Sequence, residues 1–381
     1  SRFGGVSYKT GSIFFLLSRI IGASFRLYLV AIVLQITVFD ALGVSFLLTV
    51  SVTIGLIWVY TFRSGIKTII WTDTLQTAFM LGAVIVTVVL IKKQMLPETG
   101  LVEYISNSEH SQIFFFEDWK GAQHFWKQFL SGVFITIVMT GLDQDMMQKN
   151  LSCRSLSDAQ KNMFWLSITL VVVNLIFLSL GVLLYDFAEA QSIPFEKPDE
   201  LFPAVAMSGE LGMVVVILFV IGLIAAAYSS ADSALTALTT SFCVDILGIE
   251  KMEKGKGKQI RKFTHVGFSF VLFLVIVIFE KLNNDSVIKE LFTVAGYTYG
   301  PLLGLYAFGL FTKINVKDKW VPLVAVLAPL LSFIVKDNSE KWFGYAMSFE
   351  HLILNGLLMF IGLWTLRTSN AQQKDVNPAG V

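Results

Sequence analysis

Ten apolar stretches dominate this 381-residue chain, at roughly 11–38, 43–62, 67–91, 127–146, 162–185, 209–236, 263–280, 290–312, 320–335 and 350–367. A helix needs about 20 apolar residues to cross the hydrocarbon of a bilayer, and most of the stretches supply them. Lipid satisfies no exposed peptide group, so each is expected as a helix. Charged residues make up only 15% of the chain, against about 25% in an average soluble protein. The expected fold is an all-α, polytopic bundle of about ten transmembrane helices forming one transmembrane domain over 1–381. A net charge of +1 argues against a nucleic-acid partner. No nucleophile–base pair, metal-ligand spacing or phosphate loop is present, so no enzyme is expected.

The loops orient the bundle. Eighteen of the 29 lysines and arginines fall in the segments that are cytoplasmic if the chain starts inside; nine fall in the opposite set. Positive residues favour the cytoplasm, so both ends of the chain are expected there, in a plasma (inner) membrane. The run EKMEKGKGKQIRK, at 250–262, is the strongest inside marker.

Polar groups within spans are costly in lipid unless they meet a partner, so they mark function. The sixth span carries AAAYSSADSALT at 225–236, with Ser229, Ser230, Asp232, Ser233 and Thr236 in an otherwise apolar helix. Hydroxyls at i, i+3 and i+4 stack into one oxygen-lined stripe. Such a stripe suits a small hard cation such as sodium, pointing to ion-coupled transport. Asp73 lies six residues past Lys67, about 9 Å into the third span. That is the depth of the serines on the cytoplasmic side. Asp73 either completes a cation shell or bonds to a neighbouring helix end. The sixth span is expected to pack on the first and third around a polar gap.

Three further spans bear candidates. In the fourth, Gly141 interrupts an apolar helix just before Asp143 and Gln144, as broken transporter helices do. Gln144 and Gln148 read as its interfacial end, while Thr136, Met139 and Thr140, deeper in, are candidates to line a substrate. In the eighth, Gly296, Gly300 and Gly304 repeat at four-residue spacing, a pattern for close helix contact. Pro301 should kink that helix. Tight packing and a hinged gate at Gly300–Pro301 are both open. In the first, Arg19 and Arg26 share a face. Arg26, near mid-membrane, calls for an anion, from a protein carboxylate or an acidic substrate.

Four ordered segments, GIKTIIWTDTLQT, GLDQDMMQKNLSCRSLSDAQK, AAAYSSADSALTALTTSFCVDIL and YGPLLGLYAFGLFTK, resemble successive signatures of the sodium:solute symporter family over essentially the whole chain. The resemblance implies a leucine-transporter-like core of two inverted repeats, with sodium ions and a small-molecule solute as partners in the bilayer. It places the remainder of the first repeat at 1–91, the second at 127–312, peripheral helices at 320–367 and a cytoplasmic tail at 368–381. It implies a sodium site of Ser229, Ser230 and the Ala226 carbonyl, with Asp73 in sodium coupling and, with Ser233, in a second site. Aligned by these motifs, the chain starts just before the third core helix. An N-terminally truncated symporter with half of its sodium site is therefore expected. Sugar-transporting members carry an aromatic pair at the positions of Met139 and Thr140, so a hexose is not expected. A carboxylate or sugar acid is the expected substrate. A symporter-like solute sensor or receptor and an ion channel are the alternatives.

Overall fold

A computed structural model of the protein describes residues 2–61, 66–142, 150–151, 153–249, 252, 254–282 and 286–368. Asp143, Gln144 and Gln148 lie outside the described residues. Among the described residues twelve α-helices follow one another: α1 (Gly5–Leu34), α2 (Phe46–Thr61), α3 (Ile66–Met95), α4 (Leu101–Asn107), α5 (Phe125–Thr136), α6 (Leu156–Ala190), α7 (Leu201–Met207), α8 (Met213–Ser241), α9 (Lys254–Leu282), α10 (Val287–Phe311), α11 (Val321–Phe343) and α12 (His351–Thr365). Among the described residues no strand forms; one isolated antiparallel bridge joins Val316 to Arg367.

Each of the ten expected spans overlaps a helix, the fourth only in its first part, since 143–146 lie outside the described residues, and the short α4 and α7 lie in the loops. Among the described residues six helical stretches are long and apolar enough to cross a membrane, those built on α1, α3, α6, α8, α9 and α11, while α2 and α12 are shorter apolar helices. Helix α10 is diluted by Gly296, Tyr297, Thr298, Tyr299 and Gly300, and α5 gives way after Thr136 to a widened turn, Ile137–Gly141. Several helices overrun their apolar stretches. Helix α11 runs on through Lys336, Asp337, Glu340 and Lys341 to Phe343. Intrahelical hydrogen bonds continue into water, whereas apolarity marks only the part in lipid.

Helix α1 is the hub, packing on α8, α9 and α10. Its Leu27, Tyr28 and Ala31 meet Leu235 and Leu238 of α8 and Leu272 and Ile276 of α9. A second cluster joins Val84 and Ile91 of α3, Leu183 and Phe187 of α6, Val205 of α7 and Val215 of α8. Lipid tails are as apolar as these side chains, so close packing rather than transfer from water holds the helix faces together. The start of α1 is capped from far along the chain. Asp318 accepts from the Val6 and Ser7 amides at 2.9 and 2.7 Å and from the Ser7 hydroxyl. A carboxylate here satisfies orphan N–H groups and complements the helix dipole. Gly4, at φ 141°, brings the chain against that carboxylate, where a Cβ would overlap it.

The glycine repeat of α10 finds its partner in α12. A Cβ at Gly296, Gly300 or Gly304 would overlap His351, Asn355 or Met359 respectively. Three side chains at four-residue spacing thus sit in three glycine notches. His351 Nε2 lies 2.9 Å from the Thr293 carbonyl oxygen, and Asn355 Nδ2 donates to the Gly296 and Tyr297 carbonyls at 3.0 Å each. Ser332 of α11 donates to the His351 carbonyl at 3.1 Å and ties a third helix to the pair.

Candidate functional site

Helices α3 and α8 run antiparallel in close contact, and one glycine sets their separation. A Cβ on Gly222 would stand 3.4 Å from the Met80 backbone nitrogen, so the α3 backbone passes directly over it. At the other end Gln94 Nε2 donates to the Glu210 carbonyl at 2.9 Å. Seven residues on from Gly222 is Ser229; seven back from Met80 is Asp73. Seven residues are about two turns, which returns to the same face. The register therefore brings Ser229 against Asp73, and the Ser229 hydroxyl donates to Asp73 Oδ1.

The chemistry of this pair suits a small cation. Ser229 donates its proton to the carboxylate, which leaves lone pairs on its own oxygen. Asp73 supplies negative charge and is half-buried, as are Ser229, Ser230 and Ala226. Thr77 bonds back to the Asp73 carbonyl at 2.8 Å, holding that turn of α3. Hard cations of this kind take oxygen ligands from carboxylates, hydroxyls and carbonyls. Among the described residues no group of three His, Cys, Asp or Glu side chains gathers for a metal ion.

Ser233, one turn further on α8, is engaged elsewhere. Arg19 Nη2 donates to its hydroxyl at 3.3 Å, and Arg19 is 8% exposed. Beside it the buried Asp232 accepts from Thr236 at 3.5 Å, and Thr239 lies 3.3 Å from His265 Nδ1. This polar layer crosses α1, α8 and α9. Neither the arginine's approach to Ser233 nor the part of His265 showed in the sequence. An arginine on the apolar face of a long helix was the available signal.

The candidate substrate residues differ in their surroundings. Arg26 is exposed although Arg19, two turns away on the same face of α1, is buried, because α1 meets different neighbours along its length. Thr136 is exposed and donates to the Gly132 carbonyl of its own helix at 2.8 Å. Met139 packs against the apolar clusters of α1 and α10, and Thr140 is half-buried. Gly141 is exposed, while Gly300 and Pro301 are buried beneath α12. A cavity of about 630 Å³ opens between the start of α1 and the ends of α8 and α10, lined among others by Ser12, Leu142, Asp245 and Tyr306. Its Asp245 accepts from Tyr8 and, at 2.6 Å, from Ser241. Helix α8 packs on α1 and α3 as expected. The cavity, however, lies about 18 Å along α8 from Ser229, at Ser241.

Comparison with known proteins follows this geometry. The profile of the Sodium:solute symporter family matches residues 8–317. The sodium/sialic acid symporter NanT of Aliivibrio fischeri is 24% identical over 84% of this chain and 64% of its own length. The sodium-dependent multivitamin transporter of Oryctolagus cuniculus is 26% identical over 81% of this chain and 49% of its own. Sodium-coupled monocarboxylate transporter 1 of Xenopus laevis is 23% identical over 82% and 51%. The chain thus spans about half to two-thirds of the length of these relatives. A solved Na+-coupled sialic acid symporter, in a substrate-bound outward-open state, superposes with a TM-score of 0.74 at 18% identity, over 95% of this chain and 74% of that one. That likeness establishes the leucine-transporter-like bundle. With its apolar helices, the match makes this an integral membrane protein of a transporter rather than an enzyme class. The chain belongs to the sodium:solute symporter family.

Proposed function

We propose that this chain belongs to a sodium-coupled secondary active symporter that moves a small organic anion by alternating access. The observation that carries the reading is the Ser229–Asp73 contact, an oxygen pair built by helix register inside an apolar bundle. Sodium is the co-transported ion, held by Ser229, Ser230, the Ala226 carbonyl and Asp73. Its gradient supplies the free energy for uptake. The excess of lysine and arginine in one set of loops supports an orientation with both ends of the chain in the cytoplasm of a cell bearing it in its plasma (inner) membrane.

The substrate class rests on different support. Relatives named for sialic acid and for monocarboxylates transport carboxylates, and the human sodium/iodide cotransporter is named for another anion. Met139 and Thr140 stand where sugar-transporting members carry aromatic residues, which counts against a neutral hexose. Arg26, Thr136, Met139 and Thr140 are the residues to probe for substrate contact, and Gly141, Gly300 and Pro301 for gating. Uptake into proteoliposomes carrying the full-length protein tests the reading, with radiolabelled sialic acid, lactate and glucose offered with and without an inward sodium gradient. Sodium-dependent accumulation of a carboxylate but not of glucose is expected. Equilibration without accumulation would mark a channel, and accumulation of glucose alone would overturn the substrate class.

A further inference from the structure

The oxygens on α8 meet partners of opposite charge one turn apart. The Ser229 hydroxyl donates to the Asp73 carboxylate. Ser233, one turn on, receives the guanidinium of Arg19 at 3.3 Å. Arg19 is 8% exposed, so its charge sits within the bundle rather than in water. Arginine stays protonated in proteins, so this positive charge is permanent. Next to Ser233 in the chain is Asp232, a carboxylate only 2% exposed. A second metal cation at Ser233 would have to share its hydroxyl oxygen with an arginine N–H and sit against a like charge, with little solvent to screen either.

We infer that Arg19 is a tethered cation that fills the polar position at Ser233, so that the bundle binds one sodium ion, at Ser229 and Asp73, and couples one per cycle. The inference rests on the sodium reading above and sets its stoichiometry. It also gives Arg19 a role that needs no contact with substrate. By holding a permanent positive charge at Ser233, it keeps that end of the stripe closed to ions without breaking the stripe's hydrogen bonding.

Radioactive sodium, counted on the purified full-length protein, tests this. The wild type should bind about one ion per chain with a Hill coefficient of about one, since the coefficient cannot exceed the number of interacting sites. Arg19→Ala, which removes the charge and opens space, should bind a second ion; Arg19→Lys, which keeps the charge, should remain at one. Ser233→Ala, a small change that leaves Arg19 in place, should leave sodium affinity within about twofold of wild type. It keeps the test decisive if Arg19→Ala fails to fold. Two ions on the wild type, one ion on a folded Arg19→Ala protein, or a tenfold loss of affinity in Ser233→Ala would each overturn the inference while leaving the Ser229–Asp73 site intact. Absence of sodium binding to the wild type would instead overturn the sodium reading, and the stoichiometry with it.

Discussion

The side-chain amide of Asn355 on α12 covers the carbonyl of Tyr297 on α10, the carbonyl that Pro301 leaves without its helical partner. In a regular helix the residue at 301 would donate its N–H to the carbonyl at 297. Proline has none. Asn355 Nδ2 supplies the missing donor at 3.0 Å and reaches the Gly296 carbonyl as well. The proline position is therefore braced by a neighbouring helix, through the notch left by Gly300.

Asn355→Leu, close in size, should then destabilise the protein by about 1–3 kcal/mol, the cost of stranding buried acceptors. Pro301→Ala restores an N–H to the same carbonyl. Asn355→Leu should cost clearly less in a Pro301→Ala background than in wild type, because the two changes act on one acceptor. Thermal unfolding of the four proteins in one detergent measures the difference. Strict additivity would show that the amide does not substitute for the proline's missing donor.

Two glycines should differ sharply when replaced. A Cβ at Gly300 overlaps the Asn355 side chain, whereas one at Gly222 stands 3.4 Å from the α3 backbone. Gly300→Ala should cost about 1–3 kcal/mol, as overpacking does. Gly222→Ala needs a shift of only a few tenths of an ångström. It should melt nearly as wild type and weaken sodium binding by moving Ser229 from Asp73. Melting curves paired with sodium titrations separate the two outcomes.

Lys127, at the start of α5, is buried and donates to the carbonyls of Lys120, Gly121 and Ala346 at 3.3, 2.9 and 2.7 Å. It also lies 3.5 Å from the Glu350 carboxylate and 3.7 Å from the centre of the Tyr345 ring. This ammonium joins α5 to the loop before α12. Lys127→Met leaves Glu350 and three carbonyls without it and should cost about 3–5 kcal/mol, the scale for breaking one side of a buried pair. Chemical or thermal denaturation against wild type checks this.

Tyr345 adds a pH dependence of known sign. Burial raises its pKa above the ordinary value, and its hydrogen bond and proximity to Glu350 raise it further. Its hydroxyl donates to Glu350 Oε1 at 2.9 Å. A raised pKa stabilises the fold fully below the unfolded value of about 10 and loses that contribution as pH climbs through the folded value. Stability should hold through neutral pH and fall above about pH 10, and Tyr345→Phe should flatten the fall. Melting temperatures measured from neutral to strongly alkaline pH test it.

The spans were readable because lipid imposes a composition, and the Ser229–Asp73 pair because oxygen in an apolar helix stands out. What escaped depended on partners distant in sequence. Asp318 caps α1 from 312 positions beyond Val6, and nothing local to either residue announces it. The glycine repeat at Gly296, Gly300 and Gly304 was legible as a packing face, but its occupants were not named. A signal existed: His351, Asn355 and Met359 repeat at the same four-residue spacing. Arg26, near mid-membrane, was the arginine expected to need an anion, yet Arg19 is the buried one, because helical periodicity records direction from the axis, not which neighbour lies there. Only the packing of α8 distinguishes the buried one.

Sodium affinity of the full-length protein carrying Asp73→Asn or Ser229→Ala decides whether this pair holds the driving ion. Asp73→Asn removes the strongest attraction while keeping shape; Ser229→Ala removes one oxygen ligand. Each should lower sodium affinity by at least about tenfold, or about 1.4 kcal/mol, with a melting temperature near that of wild type. Wild-type sodium affinity in both well-folded variants would contradict the site.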